Sequence, residues 1–251
     1  MIKQYKISVP KSTLNEIYKR VREFPWNDAQ NMSGWEYGTN LNYLKSISKY
    51  WITKYNWKKF ENKINSFKNY KTKVEDINLH FIFEKSKNPN SRPLLLLHGW
   101  PGSITEFLDI IPRLAHPEKY GGKIGDGFDV IVPSLPGFGF SSQIKKALGP
   151  RKIGKILNKF MVKNLGYKNY FVQGGDWGAT IAGWIGLDSS KNCKGIHINC
   201  LPLRHPKGTK NIKEKKWEKK FNFDQIMQEG YRTQQATKPQ TLSYAMIDSP
   251  V

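Results

Sequence analysis

Five residues in the second half of the chain, Gly174-Gly175-Asp176-Trp177-Gly178, have the types and spacing to do chemistry. They follow an apolar run, Tyr170-Phe171-Val172-Gln173, and precede a small-residue stretch through Ile181 and Ile185. The form small-x-acid-x-small suits a tight strand-to-helix turn, where the neighbours must be small for strand and helix to approach. Such a turn lifts its central side chain above the sheet at a helix N-terminus, whose free N–H groups favour negative charge. The lifted residue is Asp176. A carboxylate is a poor nucleophile towards amides but can attack saturated carbon. It can open an epoxide or displace a halide, leaving an alkyl-enzyme ester. The bland alternative is a glycine-rich turn whose aspartate caps the next helix. These five residues alone leave the two readings level.

A second segment tips the balance. His98-Gly99-Trp100-Pro101-Gly102-Ser103 follows the run Pro93-Leu94-Leu95-Leu96-Leu97. In a hydrolase built on a nucleophile elbow, the loop after this strand supplies one oxyanion-hole N–H and the residue after the nucleophile supplies the other. The expected donors are the backbone amides of Trp100 and Trp177. His98, Gly99 and Pro101 read as residues that shape this loop; His98 stands beside the oxyanion hole and is not expected to be a base.

The elements that must hold these segments follow from periodicity. Leu14, Ile17, Tyr18 and Val21 mark a helix opened near Pro10 and Ser12. Leu41 to Tyr55 and Trp57 to Phe67 mark two more, all rich in aromatics at helical spacing. From residue 72 the period shortens to that of strands, with a turn near Asp76. Strand-like runs at 94–97, 128–132, 170–173 and 194–199 alternate with helical patterns from Ser103 or Thr105 through Leu114, over 152–165, and through Ile181 and Ile185. That alternation predicts a parallel sheet covered on both faces. After Leu201 the pattern gives way to Lys-rich sequence, a short helix around 221–234 and punctuation at Thr237-Lys238-Pro239-Gln240-Thr241.

Composition narrows the function. The chain has 251 residues, 38% of them hydrophobic, enough to build a core and to exclude a disordered chain. Lys plus Arg number 41 against 20 acidic residues, a net charge of +21. Of these cations 34 are Lys and only 7 Arg, the residue that carries most bidentate readout of bases and phosphates. The surplus reads first as a solvated coat and second as an attraction to anionic membrane surfaces. Nucleic acid is not an expected partner, because no binding motif accompanies the charge. Cys193 and Cys200 have no zinc-ligand spacing and read as buried free thiols. Neither a metal nor a cofactor is called for. No apolar leader opens the chain, and no run of about 18 apolar residues interrupts it.

His98 to Ser103, Pro133-Ser134-Leu135-Pro136-Gly137-Phe138-Gly139-Phe140-Ser141 and Gly174 to Gly178 together resemble the microsomal-type epoxide hydrolases, a family that includes the insect juvenile hormone epoxide hydrolases. The likeness continues upstream through Trp35-Glu36-Tyr37-Gly38, Tyr50-Trp51, Tyr55-Asn56-Trp57 and Asn65-Ser66-Phe67. Downstream it runs through Gly230-Tyr231 and Thr237 to Thr241 as far as Asp248-Ser249-Pro250-Val251. The resemblance implies an α/β-hydrolase fold, a mostly parallel sheet with helices on both faces. It implies an N-terminal helical meander domain over 1–71, a core over 72–200 and the start of a helical cap over 201–251. It also implies Asp176 as nucleophile and Tyr231 as a cap tyrosine that donates a proton or hydrogen bond to the epoxide oxygen.

The same resemblance implies a histidine general base with an acidic partner, a second cap tyrosine and two last strands, all after the cap. The chain stops inside the cap, so these are expected to be missing. None of His80, His98, His116, His197 and His205 stands in the base's place. The expectation is a fragment, or a short product that can be alkylated at Asp176 but stalls at the ester. The expected substrate is a small lipophilic epoxide: a juvenile hormone, a xenobiotic or a lipid epoxide. The family implies the endoplasmic reticulum or microsomal membrane, with cytoplasm as the alternative, since this chain carries no anchor. Rival readings are a haloalkane dehalogenase, which can share the Asp-Trp elbow, and a non-catalytic binding remnant.

Overall fold

The computed structural model describes residues 1–31, 34–200 and 211–251. Contacts divide the chain into two compact units. One begins with Met1–Ile7 and resumes at Lys58; the other takes in Ser8–Trp57 and the C-terminal helices.

The first unit is built on a sheet of seven strands: β1 (Lys3–Gln4), β2 (Asn69–Val74), β3 (Ile77–Glu84), β4 (Arg92–Leu97), β5 (Phe128–Pro133), β6 (Tyr170–Gly174) and β7 (Cys193–Ile198). Their order is β1-β2-β3-β5-β4-β6-β7. The strand–helix portion, β5-β4-β6-β7, is parallel, while β1, β2 and β3 add an antiparallel half, with β3 pairing antiparallel to β5. Short connections explain the split. β2 and β3 are joined by a two-residue turn, which can only return the chain antiparallel, whereas each parallel step needs a crossover.

Side chains along the central strands alternate between two apolar layers. Leu95, Leu97 and Ile131 pack with α5 (Pro150–Lys159) and α6 (Trp177–Asp188) through Ile156, Leu157, Ile181 and Ile185. Leu96, Val130 and Val132 face the other way, towards Ile104, Phe107, Leu108 and Ile111. A strand buried on both faces has no polar side, which is why the Leu run shows no alternation in the sequence.

The single helix expected from Ser103 to Leu114 is two pieces. A 3₁₀ turn, Ile104–Phe107, is capped by Ser103, whose hydroxyl accepts from the Thr105 N–H at 3.3 Å. A separate α4 (Ile111–Ala115) begins at Ile111, with Pro112 inside its first turn. Proline lacks an N–H to continue a preceding helix but suits the start of a new one.

The second unit holds α1 (Lys11–Glu23) and α2 (Leu41–Thr53), and α3 (Trp57–Asn65) begins at its edge. The Asn40 side chain caps α2 by accepting from Tyr43 N at 3.1 Å. The C-terminal part of this unit corrects the expectation of one short helix. It forms α7 (Ile212–Gln228), α8 (Gly230–Thr237) and α9 (Pro239–Asp248). The first turns of α7 are Lys-rich and carry no apolar stripe, so periodicity passes over them. Thr237 to Thr241 is a helix-to-helix junction: Lys238, preceding Pro239, is pushed out of the helical region (φ −135°, ψ 57°), and Pro239 opens α9.

Of the two thiols expected to be buried, Cys193 is buried and Cys200 is exposed; both are free. Cys200 lies just past the end of β7.

Candidate active site

The C-terminal ends of β4, β5 and β6 point the same way, because the three strands are parallel. Three loops therefore meet there: 98–103, 134–142 and the junction of β6 with α6. Open α/β sheets place their ligands at this edge.

The β6–α6 junction has the elbow geometry. Asp176 adopts φ 49°, ψ −123°, a conformation that non-glycine residues rarely hold. It occupies the cap position of α6 but makes no side-chain cap bond. Its Oδ1 instead accepts the Trp100 N–H at 2.9 Å. The capping alternative for this aspartate therefore fails on geometry. Its side chain is exposed.

The motif glycines have steric work to do. A Cβ on Gly178 would strike the carbonyl oxygen of Leu97, and one on Gly174 would strike that of Gly178. One on Gly99 would strike the Asp176 side chain. Strand, helix and loop thus approach so closely that only hydrogen fits at these three positions. Gly175 is less constrained, since a Cβ there would meet the Asn199 side-chain oxygen at 2.6 Å, and a side chain can shift. The Trp100–Pro101 peptide is cis. Trp177 is the first residue of α6 and is 48% exposed. Its N–H belongs to the first turn, where amides have no partner within the helix.

His98 is fully buried and bound to backbone on both sides. Its Nδ1 donates to the Gly99 carbonyl at 3.0 Å and its Nε2 accepts the Leu135 N–H at 3.1 Å. Burial pushes its pKa down, with the Gly99 carbonyl pulling slightly the other way. A neutral imidazole with a fixed tautomer ties loop 98–103 to loop 134–142. His80 does the same work from β3. Its Nε2 donates to Asn69 Oδ1 (3.0 Å) and its Nδ1 accepts the Ser134 hydroxyl (2.9 Å), while Asn69 spends its own N–H groups on the Ile64 and Phe67 carbonyls.

Of the other histidines, His116 pairs with Glu84 at 2.8 Å, and His197 is exposed on β7 opposite Gln173. His205 lies outside the described residues. Among the described residues no hydrogen bond joins a histidine to Asp176. Tyr231, 62% exposed, is the second residue of α8 and belongs to the other compact unit. No cluster of three or more metal-binding side chains occurs among the described residues.

One residue at this site escaped the sequence reading. Glu106 sits in the 3₁₀ turn with its carboxylate against Gly102, where a Cβ would strike Glu106 Oε1. Burial pushes its carboxyl pKa up and the Asp176 charge adds to that, while the backbone amides of Ser103 and Gly99 hold it down. The signal was the Ser-x-x-Glu spacing of Ser103 and Glu106, a capping-box pattern.

A parallel sheet covered on both faces, with a strained acidic elbow and a facing amide at its C-terminal edge, defines an α/β-hydrolase, and the chain belongs to that family: residues 92–245 match the alpha/beta hydrolase fold. Within that family it is similar to proteins named epoxide hydrolase. Residues 2–107 match the epoxide hydrolase N terminus. A putative epoxide hydrolase of Stigmatella aurantiaca is 37% identical over 99% of this chain and 57% of that protein. Epoxide hydrolase 1 of Oryctolagus cuniculus is 34% identical over 100% of this chain and 60% of that protein. The crystal structure of juvenile hormone epoxide hydrolase from the silkworm Bombyx mori superimposes with a TM-score of 0.88 at 30% identity, covering 100% of this chain and 63% of that one. The chain thus spans 57–60% of the length of the two curated relatives.

Proposed function

We propose that the protein opens small lipophilic epoxides to vicinal diols through an ester on Asp176. The observation that carries this reading is the elbow: a strained, exposed carboxylate that caps nothing and is held at Oδ1 by the Trp100 N–H. In the first step the free Asp176 oxygen attacks an epoxide carbon and the ring C–O bond breaks. The leaving alkoxide takes a proton from a phenol, the role assigned to Tyr231. In the second step water attacks the ester carbonyl. The oxyanion faces the amides of Trp100 and Trp177, and collapse releases the diol and restores the carboxylate. The water must lose its proton to a base, and among the described residues no hydrogen bond joins a histidine to Asp176. Neither step as written uses a cofactor or a metal.

The kinship with proteins named epoxide hydrolase 1 and juvenile hormone epoxide hydrolase supports an epoxide as substrate. The surplus of +21 and that kinship support contact with an anionic membrane surface as part of the same proposal. Among the described residues no helix is long and apolar enough to cross a membrane.

Mass spectrometry tests the first step. Incubation with phenyl glycidyl ether should add one epoxide mass to the peptide containing Asp176, and Asp176→Asn should abolish the adduct. Labelling elsewhere, or none together with no diol formed, overturns the proposal. Halide release from a haloalkane, with epoxides inert, would favour the dehalogenase reading instead.

A further inference from the structure

Helix α7 mixes on one face two kinds of residue that helices in water keep apart. Lys213, Lys215, Lys216, Lys219 and Lys220 all lie in its first half, and all are exposed. At 3.6 residues per turn they fall on one half of the helix circumference. Ile212, Phe223 and Ile226 fall on that same half and are 86%, 69% and 79% exposed. Glu214, Glu218 and Asp224 fall on the opposite half, as do the stacked rings of Trp217 and Phe221. Lysines and apolar side chains thus interleave on one face, which is why the helix shows no separate apolar stripe.

This face is unfavourable in water on both counts. Lys215 and Lys219 are spaced i, i+4, as are Lys216 and Lys220, and like charges at that spacing repel. The three large apolar side chains stand in solvent beside them. An anionic lipid surface answers both problems. Its headgroups neutralise the lysines, whose stems lie along the interface while the ammonium groups reach the phosphates. The boundary just below takes up apolar side chains. A polynucleotide would answer the charge but not Ile212, Phe223 and Ile226, and α7 holds no arginine to read phosphates bidentately.

We propose that this face of α7 is a docking surface for anionic lipid bilayers. The helix lies flat on the membrane, with its five lysines over the headgroups and Ile212, Phe223 and Ile226 pressed just beneath them. Glu214, Glu218 and Asp224 then face away from the negative surface. This rests on the membrane contact proposed above and gives it a location, and it needs no step of the epoxide chemistry.

Vesicle co-sedimentation of the full chain at about 0.1 M salt tests this. The wild type should bind phosphatidylcholine vesicles that contain phosphatidylserine and should ignore vesicles of phosphatidylcholine alone. Each lysine at an anionic surface strengthens binding about five-fold, so Lys215→Gln with Lys219→Gln should weaken it about 25-fold. Phe223→Ser leaves the charge alone and should weaken binding about ten-fold through the lost apolar contact. Lys145→Gln with Lys146→Gln removes the same charge from exposed positions outside α7 and should leave binding nearly unchanged. All these positions are exposed, so the variants should fold, and far-ultraviolet circular dichroism checks that they do. A wild type that ignores phosphatidylserine vesicles overturns the membrane reading, and this proposal with it. Wild-type binding that either α7 variant keeps, or that the Lys145 and Lys146 variant loses equally, overturns the α7 surface and leaves membrane contact standing. Tighter binding to a DNA duplex, lost in the α7 lysine variant and kept in Phe223→Ser, overturns the proposal in favour of a polynucleotide.

Discussion

Gly178 and Gly183 lie five residues apart in α6, and the structure assigns alanine opposite effects at the two sites. Helix propensity alone favours Ala over Gly by about 1 kcal/mol in a helix interior. At Gly183 a Cβ meets nothing within 4 Å, so that gain stands unopposed. At Gly178 a Cβ would strike the Leu97 carbonyl oxygen and would come within 2.9 Å of the His98 carbonyl oxygen. Both obstacles are backbone at the end of β4, so neither can rotate away. Overpacking a rigid contact costs about 3 kcal/mol, at the upper end of its usual range. Subtracting the propensity gain leaves Gly178→Ala destabilised by about 2 kcal/mol. For a chain of this size each kcal/mol moves Tm by about 2–4 °C, so Gly178→Ala should melt about 4–8 °C lower and Gly183→Ala about 2–4 °C higher. Scanning calorimetry at neutral pH on the two variants and the wild type measures this directly. Gly178→Ala should also lose alkylation at Asp176, because relief requires the elbow to move away from β4. A Gly178→Ala protein as stable as Gly183→Ala would refute the claim that this glycine exists for close approach.

Three further predictions concern His80, Asp129 and Tyr231. His80 is buried, and burial with Lys71 nearby lowers its pKa to about 3, so the native state refuses a proton that the unfolded chain accepts below about 6.5. The stability it contributes is complete above that value and drains as pH falls. By pH 4 about 3 kcal/mol is lost, and a denaturant titration series from pH 7 to 4 should show a flatter slope in His80→Gln; equal slopes would sink the assignment. Asp129 is 1% exposed and gathers Lys85 (2.9 Å), the Ser86 N–H (3.0 Å), Ser91 (2.7 Å) and the Tyr167 hydroxyl (2.7 Å). Asp129→Ala should cost about 3 kcal/mol by urea unfolding, while adduct formation at Asp176 in the remaining folded protein continues, since Asp129 sits at the far end of β5. Tyr231→Phe should slow epoxide opening by about 10²-fold with Asp176 still the labelled residue. An unchanged opening rate would remove Tyr231 from the proposed chemistry.

Much of the site was legible because its demands are local. Gly174 and Gly178 announce a close approach, an acid between small residues announces an elbow, and the following tryptophan places an amide at a helix start. The parallel half of the sheet was legible for the same reason, since apolar runs alternate with helical stripes. The antiparallel half was less so: whether β3 would pair with β2 alone or also with β5 is a matter of sheet order, not of any run of residues. Glu106 hid behind its own capping-box spacing, which by itself accounts for a glutamate at that position. The helices α7 to α9 were compressed to one because lysine-rich turns show no apolar stripe and Pro239 reads as a stop as readily as a start.

The sequence by itself determined the strand–helix alternation of the parallel half, the acid at the elbow and the resemblance to a family, because each depends on residue type and spacing along the chain. Only the tertiary structure decided what Asp176 does with its oxygens. An aspartate at that turn can cap a helix or face a partner loop, and both are compatible with the same five letters. The choice rests on the Trp100 amide, 76 positions away in sequence and 2.9 Å away in space. It is fixed by β4 and β6 lying side by side in parallel register, a long-range pairing that no local pattern encodes.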